Sequence, residues 1–156
     1  MTDNDVARLL EQFRASRSAF VGRLDQIPLE DRGHAPAPGT WSAREIVIAV
    51  AAWLDEANDR IPRLLAGAPE VEYNRAAFNE AALDRAGEWS YEQARGALRR
   101  AADRYDMMIA ESTAAEIAAE PPVMRWIACL AETLMEQHAA ALDQLIATFD
   151  TGSTER

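Results

Sequence analysis

Four side chains in this 156-residue chain have the chemistry to act on another molecule: His138, Cys129, Glu56 and Tyr105. His138 has Leu134 and Leu142 one helical turn away on the same face, which points a titratable ring toward an apolar interior. Such a ring is either a core histidine hydrogen-bonded to a polar partner on another helix or a general base, and the residues alone leave both open. Cys129 precedes His138 by nine residues. At about 100° per residue, α-helical spacing puts the thiol about 180° around the same helix and about 13 Å along its axis, so a thiol-imidazole pair within one subunit is not expected. Cys129 is instead expected as a small packing residue or a semi-exposed thiol. Glu56 lies seven residues after Ala49 and three after Trp53, on the inner edge of the same helix. A carboxylate that meets an imidazole across a bundle orients a water or holds a metal; the alternative is a solvated or arginine-paired carboxylate. Trp53 and Tyr105 could line a ligand pocket between helices, or serve as core anchors like Trp41, Trp89 and Trp126.

These residues need helices to position them. From Asp3 to Ile27 the apolar residues Val6, Leu9, Leu10, Phe13, Phe20, Leu24 and Ile27 recur at three-and-four spacing. The stretch PLEDRGHAPAPGT then breaks the helix with three prolines and two glycines, and leaves His34 in an exposed loop. Ser42 and Glu45 form a capping box that starts a second helix, whose stripe Ile46, Ala49, Val50, Trp53, Ala57, Ile61 and Leu64 runs to Gly67. A shorter helix over Arg75 to Ala86 follows the extended EVEYN. Ser90 and Gln93 cap a third long helix that carries Leu98, Tyr105 and Ile109, and Pro121-Pro122 opens a fourth that continues through Ile127, Leu134, His138 and Leu142 to Phe149. The pattern predicts an all-α four-helix bundle with a short extra helix between helices two and three, one domain over residues 1–150, and a polar tail at 151–156.

Composition removes several functions. A net charge of −10 without a basic stripe disfavours nucleic acid. All 16 basic residues are arginine, so Schiff-base and P-loop chemistry, which need a lysine amine, are out. No apolar run reaches the roughly 20 residues of a membrane span. The acidic start MTDNDVARLLE is unlike a secretion signal, and one cysteine cannot form an internal disulfide, so a soluble cytoplasmic protein is expected. Glu132 and Glu136 precede His138 by six and two residues, so the Glu-x-x-His spacing of a di-iron bundle is missing.

The order of helix, Pro/Gly loop, W-S-x-x-E start at Trp41, apolar run, Trp53 and a final H-x-x-x-L-x-Q-L from His138 resembles the DinB-like (damage-inducible-B-like) bundle superfamily. The segment YNRAAFNEAALDRAGEWSYEQA is similar to the branch containing the DfsB-like proteins and the colibactin self-protection proteins. The resemblance runs from about Leu9 to Leu145, and it implies a DinB-like bundle and a homodimer. Members with the full pattern bind a divalent metal such as zinc or nickel through three histidines, one on helix two and two on the last helix, and some use low-molecular-weight thiols. Carried onto this chain, those positions fall at Ala49, Leu134 and His138, and only His138 has a lone pair to give. Even with Glu56 as a substitute there are two ligands, whereas catalytic zinc takes three from the protein.

The resemblance therefore implies a bundle with a degenerate metal site, no cofactor, and an interhelical pocket formed by Ala49, Trp53, Glu56, Tyr105, Leu134 and His138. Such a pocket would serve small-molecule binding or stress and toxin protection. The alternative is an enzyme, a thiol-dependent transferase or a metal-independent hydrolase, with His138 as catalytic base and Glu56 or Tyr105 assisting. The alternative to having no cofactor is a divalent metal such as zinc or nickel, or a low-molecular-weight thiol.

Overall fold

Short polar side chains start the helices. The Glu45 backbone N–H donates to Ser42 Oγ at 3.2 Å while the Ser42 N–H donates to the Glu45 carboxylate at 3.1 Å, so two N–H groups left free by the helix start are satisfied reciprocally. Ser90 and Gln93 repeat the arrangement at 3.1 and 2.8 Å. Asn74 and Thr113 each accept one backbone N–H at further starts.

The computed structural model describes residues 3–35, 37 and 39–154, apart from the side chains of 133–136 and 150–154. Helix α1 is Asp3–Gln26 and is followed by a 3-10 turn at Leu29–Asp31. Then come α2 (Ala43–Leu65), α3 (Arg75–Ala86), α4 (Tyr91–Ala110) and the single-turn α5 (Ala114–Ala118). The chain ends with α6 (Pro121–Ala128), a π-helical segment at Cys129–Met135, and α7 (Glu136–Thr154). The described residues contain no strand, and none of their helices is long and apolar enough to cross a membrane.

Helix α2 packs along α4, and α1 packs along α6, the π segment and α7. Helix α2 is buried at Ile46, Val47, Val50, Leu54, Ile61 and Leu64; α1 adds Phe13, Phe20 and Leu24, and the last helices add Ile127, Leu130 and Leu142. Alanines at 57, 94 and 101 are buried where α2 and α4 run together, and their small side chains allow close helix contact. Ion pairs Arg17 to Asp106 at 3.0 Å and Arg95 to Asp25 at 3.1 Å tie α1 to α4, and Arg23 to Asp143 at 2.8 Å ties it to α7. These pairs are partly exposed and contribute little energy each.

The last helix differs from a single run between Pro121 and Phe149. It changes pitch at Cys129, returns to α-helix at Glu136 and continues to Thr154, because nothing stronger than Gly152 interrupts the segment expected as a tail. The extra turn α5 arises because Thr113 supplies a cap ahead of the proline pair that starts α6.

Tyr105 lies in this core rather than in a pocket. It is 1% exposed, its ring meets Phe13 at 4.6 Å, and its hydroxyl has no hydrogen-bond partner among the described residues. An unsatisfied buried hydroxyl costs about 1–3 kcal/mol. Tyr105→Phe is therefore expected to stabilise the fold by about 1 kcal/mol, seen as a higher urea midpoint with an unchanged slope. A lowered midpoint would show that the hydroxyl has a partner.

Candidate functional site

Trp53 sits on α2, half-buried against the edge of the core, and Tyr73 of the connection between α2 and α3 packs on it. Its ring stacks on Phe78 of α3 at 3.9 Å, meets Tyr73 edge-on at 5.5 Å, and lies 6.3 Å from Trp126 of α6. Tyr73 and Trp126 meet edge-on at 5.6 Å. The indole N–H of Trp53 donates to Asn79 Oδ1 at 2.8 Å, and the Tyr73 hydroxyl donates to Glu56 at 2.5 Å. Aromatic rings with their polar tips satisfied make a rigid apolar wall.

That wall bounds a cavity of about 410 Å³, within the size range of small-molecule sites. Its other sides come from the Glu70–Val71 connection, the start of α3 at Arg75, and the last helix through Pro122, Trp126, Cys129 and His138. A second cavity of about 440 Å³ is lined by Ile48, Asp55, Glu56, Asp59, Arg85 and Trp89. Phe78 lines the second and Trp53 the first, so the stacked pair stands between them.

His138 and Cys129 line the same cavity, which overturns the opposite-face expectation. The reason is the π segment between them. Hydrogen bonds from i to i+5 widen each turn to roughly 4.4 residues, so seven such residues fall behind α-helical phase by roughly a third of a turn. Cys129 and His138 then sit about 60° apart instead of 180°. The same lag moves His138 away from the core positions Ile127 and Ala131 and brings it into line with Trp126. Cys129 is exposed at the cavity and accepts from the Arg75 guanidinium at 3.5 Å; no hydrogen bond joins it to His138.

The other expected pocket residues do not meet there. Ala49 is 0% exposed inside the bundle and lines neither cavity, because the α2 face that carries it turns into the core. Glu56 faces the second cavity and sits behind Tyr73, with Arg60 at 3.7 Å, so it does not reach His138. Tyr105 lines neither cavity. The side chain of Leu134 lies outside the described residues. Among the described residues no three His, Cys, Asp or Glu side chains converge as metal ligands. Tyr73, Asn79, Arg75, Arg125 and Gln137 were not legible as cavity residues, because EVEYN reads as a plain connection and Gln137 depends on the changed pitch.

Two protonation states are set by these surroundings. Burial, and then the hydrogen bond to Glu56, push Tyr73 up to about 12, so it remains a neutral phenol at neutral pH. Burial pulls His138 below its ordinary 6.5, so its ring is neutral at pH 7; it stacks with Trp41 at 6.2 Å and 10°. No described residue hydrogen-bonds to that ring.

A model of the DinB superfamily matches residues 12–128, which is 117 of the 156 residues. The chain belongs to the DinB superfamily. The match ends at Ala128, just before the π segment, so Cys129 and His138 lie beyond it. No curated protein and no solved structure matches this DinB chain.

The lowered His138 pKa has a consequence for stability. Between the folded value and the unfolded 6.5, the unfolded state binds more protons, so stability falls as pH drops through 6.5 and levels off below the folded value. Urea unfolding between pH 7.5 and 5 is expected to show this loss in the native chain and less of it in His138→Gln. Parallel curves for the two proteins would contradict the neutral, half-buried ring.

Proposed function

We propose that this DinB-superfamily protein binds a small molecule in the Trp53–Trp126 cavity, and does so without the metal centre of the family members that carry three histidines. The observation that carries this is the aromatic cavity itself, three of whose walls are Trp53, Tyr73 and Trp126 and whose far end is His138. Against a metal stand Ala49 and Leu134, neither of which offers a lone pair, at two of the three positions that the resemblance assigns to ligands. A protective role, in which a harmful small molecule is taken out of solution, is consistent with the likeness of the Tyr73–Ala94 segment to the self-protection branch.

One observation favours a second reading, a thiol-dependent transferase or metal-independent hydrolase: a neutral His138 and an exposed thiol face the same space. The binding reading is preferred because no described carboxylate orients the His138 ring, and because, of the assisting groups of that alternative, Glu56 is bonded to Tyr73 and Tyr105 is buried in the core against Phe13.

N-phenyl-1-naphthylamine, a neutral apolar probe that fluoresces in dry sites, tests the reading. Its binding is expected to saturate at one site, to be unaffected by EDTA, and to weaken about tenfold in Trp126→Leu, since ring contacts of this kind carry about 1 kcal/mol or more beyond area. Trp89→Leu, at the second cavity, should leave it unchanged. Non-saturable binding, or equal binding by both variants, would sink the proposal.

A further inference from the structure

The polar groups around the cavity are unbalanced. Glu70 and Arg125 neutralise each other, with the guanidinium donating to one carboxylate oxygen at 2.7 and 3.3 Å. Asn79 has its oxygen occupied by the Trp53 N–H, which leaves its amide hydrogens to donate. Arg75 is the remaining charge. Its one described polar contact is the Cys129 sulfur at 3.5 Å, a weak acceptor, and no described carboxylate pairs with it. Of the arginines elsewhere that reach across elements, Arg17, Arg23, Arg95, Arg104 and Arg125 each find a carboxylate and Arg44 finds two backbone carbonyls, in a chain with 26 acidic residues against 16 basic ones. A guanidinium fork at the cavity whose one described partner is a sulfur, beside an amide donor and an apolar aromatic wall, matches a planar molecule that carries an oxyanion.

We propose that the cavity takes a planar aromatic carboxylate, with its ring system against Trp53, Tyr73 and Trp126 and its carboxylate on Arg75. This rests on the reading that the cavity binds a small molecule, and adds the charge and shape of that molecule. The acid is selected over its neutral analogue by a charge-assisted, two-pronged hydrogen bond, the geometry at which arginine exceeds lysine. Because Arg75 is exposed, the advantage is modest and salt-sensitive. The exposed thiol beside Arg75 reports occupancy at the site, since it is the one cysteine in the chain.

The test compares 2-naphthoate with 2-naphthamide, which share size and ring shape and differ in charge. Equilibrium dialysis gives affinity, and protection of Cys129 from iodoacetamide, read by mass spectrometry, gives location. The acid is expected to bind about tenfold tighter than the amide at low salt, to protect Cys129, and to lose most of that lead at 0.5 M salt. Arg75→Gln should bring the acid down to the amide's affinity without changing the amide, and Arg75→Lys should restore only part of the lead. Equal affinities for acid and amide, both protecting Cys129, would overturn the carboxylate assignment and leave the binding reading standing. Failure of both to bind or protect at millimolar concentration would overturn both.

Discussion

Between Cys129 and Met135 the last helix turns more widely than an α-helix, and the placing of the cavity's far wall follows from that change of pitch. A straight α-helix would hold Trp126 and His138 about 120° apart, the first at the edge of the bundle and the second in its centre. The π turns remove roughly that angle. Ile127, Leu130 and Ala131 keep their places in the core, while His138 comes out beside Trp126 and Cys129. π-helical turns are rare and occur frequently at functional sites. Here it puts an imidazole and a thiol at one cavity.

The opposite wall depends on a different device. Most of the α2 face toward the bundle is buried, its Trp53 edge is what it offers this cavity, and the rings of Phe78, Tyr73 and Trp126 gather on that edge. The Glu56 carboxylate holds Tyr73 from behind, with Arg60 balancing its charge, and so fixes the connection that closes the cavity. Arg44 adds a brace from the start of α2 to the carbonyls of Gly87 and Trp89, which holds the turn between α3 and α4. Glu56, which looked like a candidate catalyst, thus serves as a support one layer behind the wall, while Tyr105 packs in the core against Phe13.

Much of the scaffold could be read from the residues. Ser42 with Glu45 and Ser90 with Gln93 announce helix starts because a cap is a local bargain between neighbours in sequence, and the structure satisfies both. Stripes of three-and-four spacing announce α1, α2 and α4 for the same reason. The site was less legible. Its phase argument assumed one helical pitch from Pro121 to Phe149, and no periodicity marks where a pitch changes. Ala49 and Tyr105 were drawn toward a pocket by position on an inner face, yet an inner face and a cavity are different places in a well-packed bundle. Tyr73 and Arg75 belong to the site only because a connection of no regular structure folds back over Trp53, a long-range event without a local signature.

The most direct check uses the chain's single cysteine and its two histidines. Cys129 is labelled with monobromobimane, whose aromatic adduct perturbs nearby ring resonances, and the imidazole carbon-proton signals are compared before and after by NMR. The shared cavity predicts that the His138 signals shift on labelling while those of His34, which lines neither cavity, stay in place. Unmoved His138 signals in a fully labelled, folded protein would mean that thiol and imidazole face opposite sides of a continuous α-helix, and would contradict the account.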